Sequence, residues 1–247
     1  MTSNPRELLE LGRVDEALAV AAQRLAADPG DVPALATMAR VALMSGQASQ
    51  LQSLMNRLRI KGATEELLLL EAVMALGRKD WTRAYDLYER LLEGPSPSAE
   101  VWYGMGVVLL ALEDLESAQQ ALERSLELKP GQPSVYFELG RLRVMRGEAR
   151  LAVREFVRVL RQAPQDVRAW MAVAEVMARR RKPRQALRVV ERGLRELPGN
   201  HVLLGARALL TGKTPVDAAR AERIRAYERE VYGRRLVAKV RFPASGC

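Results

Sequence analysis

Apolar and polar positions along the chain recur with a period close to 34 residues, laid over the shorter rhythm of single helices. A large apolar residue stands at Leu35, Leu68, Trp102, Tyr136, Trp170 and Leu204, in steps of 33, 34, 34, 34 and 34. A small residue follows each one at Ala39, Ala72, Gly106, Gly140, Ala174 and Ala208. A second small column runs through Ala17, Leu51, Ala84, Ala118, Ala152 and Ala186, broken only at Leu51. Behind it comes a bulkier, less regular column of Ala21, Met55, Tyr88, Leu122, Phe156 and Val190. Abundant Ala, Leu, Arg and Glu favour helix. Each period therefore reads as helix, short turn, helix, turn.

Helix boundaries keep the same spacing. Asp31, Thr64, Ser98, Gln132, Asp166 and Asn200 recur where helices should begin, and five of these six are good N-cap residues. Gln132 is the weak one, but Pro133 follows it at the favoured first helical position. Pro130, Pro164 and Pro198 lie two residues before their caps and end the preceding helix. Polar breaks at Ser45-Gly46-Gln47, Gly77-Arg78-Lys79-Asp80, Glu113-Asp114, Arg146-Gly147-Glu148 and Arg180-Arg181-Lys182-Pro183 divide the periods in two. Two helices approach closely only where small side chains meet, which the Ala and Gly columns provide. One helix pair cannot bury its apolar face alone, so pairs must stack.

The pattern resembles the tetratricopeptide repeat, with its Trp, Leu-Gly, Tyr, Ala, Phe, Ala and Pro signature. Residues 99–132 match best through Trp102, Met105-Gly106, Leu109, Ala118, Leu122 and Pro130. The resemblance implies an all-α fold, a right-handed α-solenoid of stacked helix-turn-helix repeats. Its array would span 1–212, with a partial unit at 6–31, units at 32–64, 65–98, 99–132, 133–166 and 167–200, and a terminal unit beginning at 201–212. A capping helix is expected over 213–233, from Thr214 and Pro215 and the stripe Val216, Ala219, Ile224, Tyr227 and Val231. Residues 234–247 are expected to form a loose tail.

The same resemblance implies that the first helix of each pair lines a concave groove that holds a protein or peptide partner. Carried onto this sequence, the groove would show Ala36, Arg40 and Leu43, then Leu69, Val73 and Leu76, then Tyr103, Val107 and Leu110. Phe137, Arg141 and Val144 would follow, and Met171, Glu175 and Arg179 would complete it. The middle of this run is apolar, which suits an amphipathic helix or an extended apolar peptide. Tyr103, Val107 and Phe137 stand where the carboxylate-binding subtype of the family carries Lys, Asn and Arg, so no carboxylate clamp is expected. A second copy of the chain is another candidate occupant.

Charge changes the picture in one respect. The net charge of +9 is unevenly spread: residues 1–140 carry 13 Lys/Arg against 20 Asp/Glu, and residues 141–247 carry 26 against 10. The basic half, with a cluster at Arg179, Arg180, Arg181, Lys182 and Arg184, makes nucleic acid or an anionic surface the alternative partner. No aromatics are interleaved with these arginines for base stacking, which weakens that alternative.

Candidate chemistry is scarce. His201 is the only histidine and Cys247 the only cysteine, so neither a Cys-His pair within one fold nor a zinc site can be assembled. Thr211-Gly212-Lys213-Thr214 has the ending of a phosphate-binding loop but carries Arg207 where that loop needs glycine. No catalytic residue, metal or cofactor is expected, and the chain is expected not to be an enzyme. No secretory leader is visible after Met1, and no apolar run reaches the ~18 residues of a membrane span. A cytoplasmic location is the expectation.

Overall fold

A computed structural model describes residues 4–10 and 13–212. Among them are thirteen α-helices and no strand. The helices are α1 (Pro5–Glu10), α2 (Val14–Ala27), α3 (Val32–Met44), α4 (Ala48–Ile60), α5 (Thr64–Arg78), α6 (Trp81–Leu92), α7 (Ala99–Ala111) and α8 (Leu115–Leu128). They continue with α9 (Pro133–Met145), α10 (Ala149–Gln162), α11 (Val167–Arg179), α12 (Pro183–Glu196) and α13 (His201–Leu210). The fold is all-α, built of helix-turn-helix pairs. The expected capping helix and tail lie outside the described residues.

The chain divides into two compact units, residues 1–128 and 129–247. In the first, the pairs α1/α2, α3/α4, α5/α6 and α7/α8 each pack internally, and α2, α4 and α6 pack on the helix that follows. The first helices of adjacent pairs also touch, α1 with α3, α3 with α5 and α5 with α7. In the second unit α9/α10 and α11/α12 pair, α10 packs on α11, and α13 closes against α12 and α11.

The small-residue columns are the seams of these pairs. Ala17, Ala39, Ala72, Ala84, Ala118, Ala152 and Ala186 are all at 0 % exposure. Two glycine positions show how tight the seams are. A methyl group on Gly106 would come within 2.7 Å of Leu122, and one on Gly140 within 2.5 Å of Phe156. In both cases the bulky partner comes from the second helix of the same pair. Phe156 in turn stacks on Phe137 with ring centroids 5.5 Å apart. That pair anchors a core shared by α9, α10 and α11, while Trp170, Met171, Val190 and Leu203 join α11, α12 and α13.

The caps follow the sequence with two exceptions. Asp31 accepts from the Ala34 amide at 2.8 Å, Asp166 from Arg168 at 2.9 Å, and Asn200 from Val202 at 3.1 Å. Thr64 is not a cap: it lies inside α5, whose N-cap is Ala63, and its hydroxyl donates to the Gly62 carbonyl. Ser98 occupies the N-cap of α7 without a side-chain cap bond.

The break inside each pair has one repeated conformation. Gly46, Lys79, Glu113, Gly147 and Arg181 all have φ between 56° and 78°, the left-handed region, at the same place in successive pairs. Two are the glycines such a turn prefers; the other three carry a side chain there at a cost.

Candidate partner-binding faces

In the first unit, the residues expected to line the groove separate into two layers. Leu69, Leu110 and Ala36 are buried, at 3 %, 2 % and 5 % exposure. They belong to the packed interior and do not form an open surface. The reason is that successive first helices touch, and positions turned toward the neighbouring first helix are consumed by that contact. Val73 and Leu76 on α5, with Tyr103 and Val107 on α7, are only partly buried. Leu43 is also partly buried and packs on the cluster of Leu35, Leu54 and Leu58.

Arg40 has a partner far along the chain. Its Nη1 donates to Glu100 Oε1 of α7 at 2.6 Å. The other oxygen of Glu100 accepts from Arg6 of α1 at 3.3 Å, and Arg6 also lies 3.7 Å from Glu66 of α5. Four first helices of one unit are thus tied by a single set of charges. Beneath it, Tyr88 packs against Gly104. Burial pushes the Tyr88 phenol far above its usual range, Glu100 adds to the rise and Arg40 opposes it, so the hydroxyl stays neutral.

In the second unit the corresponding surface is polar over an apolar floor. Phe137 and Met171 are core, at 3 % and 6 % exposure, and the Arg168 guanidinium lies 4.8 Å above the Phe137 ring. Arg141 donates to Glu138 at 2.6 Å. Arg179 pairs with Glu175 across one turn of α11. Burial raises the Glu175 carboxyl above the usual range, and the Arg179 charge pulls the other way without cancelling it. Val144 is partly buried and packs on the α9–α11 core.

The residues of the basic cluster sit at one turn. Arg180 is the C-cap of α11, Arg181 the left-handed residue after it, Lys182 the N-cap of α12, and Arg184 lies in the first turn of α12. All four are exposed. His201 opens α13 and is exposed. Among the described residues, no three His, Cys, Asp or Glu side chains converge on a point that could hold a metal ion. No helix among them is long and apolar enough to cross a membrane.

The model of the tetratricopeptide repeat family matches residues 75–142 and, in a shifted register, 109–176. The chain is a tetratricopeptide-repeat protein. Its repeats are a protein-interaction scaffold in general, and proteins built from them are generally non-enzymatic adaptors. No curated protein matches the sequence significantly. Solved structures do share its fold. YrrB, described as a tetratricopeptide-repeat protein with an unusual peptide-binding site, is 18 % identical over 76 % of this chain and 97 % of its own, with a TM-score of 0.52. PilF of Pseudomonas aeruginosa is 19 % identical over 85 % and 94 %, with a TM-score of 0.57. PilW, a type IV pilus biogenesis factor, is 17 % identical over 79 % and 91 %, with a TM-score of 0.59.

Within the repeats, Arg6, Glu66, Glu100 and Glu138 are polar residues of these faces that the column analysis passed over. One signal was available: Glu66 and Glu100 are 34 residues apart, at equivalent places in two first helices. The arginines that meet them follow no such spacing.

Proposed function

We propose that this chain is a scaffold that holds a protein partner on the face of α5 and α7, the partner presenting an amphipathic helix or an extended apolar peptide. The observation that carries the reading is the incomplete burial of Val73, Leu76, Tyr103 and Val107. Their neighbours Leu70, Ala72, Val108 and Met105 on the same two helices are at 5 % exposure or less. Apolar residues left half open beside a packed interior, with a charged network of Arg6, Arg40, Glu66 and Glu100 at the edge, form a surface with an apolar centre and a polar rim. The rim would set the direction of a bound segment and the apolar centre would supply most of the affinity.

Val73→Glu combined with Val107→Glu tests this. Both side chains reach solvent, so the variant should keep its helix content and unfolding midpoint. Affinity capture followed by mass spectrometry should lose the protein retained by the parent chain. Capture of the same protein by the folded variant would count against the reading.

A further inference from the structure

The outer helices of the second unit carry an array of arginines with no counter-charge. Arg150, Arg154 and Arg161 on α10, and Arg184, Arg188 and Arg192 on α12, are all exposed. None of the six takes part in an ion pair or side-chain hydrogen bond among the described residues. Elsewhere the arginines are used: Arg6, Arg40, Arg141, Arg143, Arg158 and Arg179 all meet carboxylates. Arg150/Arg154 and Arg184/Arg188/Arg192 stand one helical turn apart, a spacing at which like charges repel and weaken the helix. Glu191 is the one exposed carboxylate set among the arginines of α12.

The matching charge lies on the same chain. Residues 1–128 carry 12 Lys/Arg against 19 Asp/Glu, and residues 129–247 carry 27 against 11. In the first unit, the outer helices α6 and α8 and the turn before α8 expose Asp86, Glu89, Asp114, Glu116 and Glu123. Three of them act on one group: Glu89 first, then Asp114 and Asp86, help hold the Tyr85 phenol above its usual range, with burial contributing.

We infer that the arginine face of α10 and α12 docks on the acidic face of α6 and α8 of a second copy of this chain. The two faces differ, so the contact is head-to-tail, and each copy added leaves one face of each sign at the ends. Association of this kind is governed by screened charge and weakens steeply with salt.

Sedimentation velocity on the full chain at about 20 mM and about 300 mM salt tests it, since the Debye length falls from about 20 Å to about 6 Å over that range. The parent chain should grow with concentration at low salt and sediment as a monomer at high salt. The triple variant R184E/R188E/R192E should be monomeric at low salt, and so should E89R/E116R/E123R, each with unchanged helix content. The decisive sample is their equimolar mixture. The first variant keeps an acidic face and the second keeps a basic one, so one contact re-forms and a species of twice the monomer mass should appear, with no further growth. A parent chain that stays monomeric at low salt overturns the inference, as does growth that survives either triple variant, or a mixture that stays monomeric. So does a parent chain that binds anionic phospholipid vesicles or duplex DNA through these arginines while showing no association with itself.

Discussion

Replacing Gly140 with alanine sets two effects of opposite sign against each other. In a helix interior alanine is favoured over glycine by about 1 kcal/mol. A Cβ at Gly140 would, however, lie 2.5, 2.7 and 2.8 Å from three ring carbons of Phe156, where ordinary contact begins at 3.4 Å. The ring has nowhere to go. Phe156 is at 1 % exposure, and the Phe137 ring stacked on it is at 3 %. Forcing a methyl group into a packed core costs about 1–3 kcal/mol. An overlap of this size belongs in the upper part of that range, leaving a net loss of about 1–2 kcal/mol after the propensity gain. Gly77, near the end of α5, is the matched control, because a Cβ there meets nothing within 4 Å. Gly77→Ala should gain about 0.5–1 kcal/mol. Urea unfolding followed by far-UV circular dichroism gives both values, provided the slope is unchanged between variants. A Gly140→Ala midpoint equal to or above that of Gly77→Ala would show that the seam is looser than the structure has it.

Other residues make sharper contrasts than averages would. Asp166→Ala removes a cap that bonds two amides and should cost about 1 kcal/mol, whereas Ser98→Ala, with no cap bond to lose, should stay within about 0.5 kcal/mol in the same unfolding assay. Arg181 has φ of 56°, so Arg181→Gly should relieve a left-handed strain and stabilise the chain by about 1 kcal/mol; a lower midpoint would contradict this. For Glu175 the sign follows from burial. Its folded carboxyl binds a proton more readily than the unfolded one. Its contribution is therefore most favourable at pH below the ordinary carboxylate value and is lost as pH rises through and beyond it. Unfolding midpoints of the parent chain, measured relative to Glu175→Gln, should fall as pH rises across that window, and a rising difference would reverse the assignment.

The columns of small and bulky residues were legible because each seam is made by local geometry. Gly140 and Phe156 are 16 residues apart, in the two helices of one pair. Burial of the first-helix residues was not legible, because it depends on the next helix pair. Phe137 occupies a position that an isolated helix would leave open, and it is covered by Phe156 and by Arg168 of the following first helix. A glutamate at Phe137 would therefore report on folding, whereas Val107→Glu reports on binding. Thr64 was misread as a cap because Thr is a good cap residue, while the turn at Gly62, with φ of 68°, starts the helix one residue early. The left-handed column was hidden for a similar reason: only Gly46 and Gly147 advertise it, and Lys79, Glu113 and Arg181 adopt it without the usual residue.

A stack of helix pairs is commonly treated as a row of dominoes, each leaning only on the next, so that its ends peel away at little expense to the middle. The carboxylate of Glu100 breaks that rule. It is held at once by Arg6, 94 residues earlier, and by Arg40, 60 residues earlier. Peeling back α1 therefore removes a counter-charge from α7, three pairs away. The N-terminal half should open as one block, and Glu100→Gln should loosen amide protons in α1 and α3 as well as in its own helix.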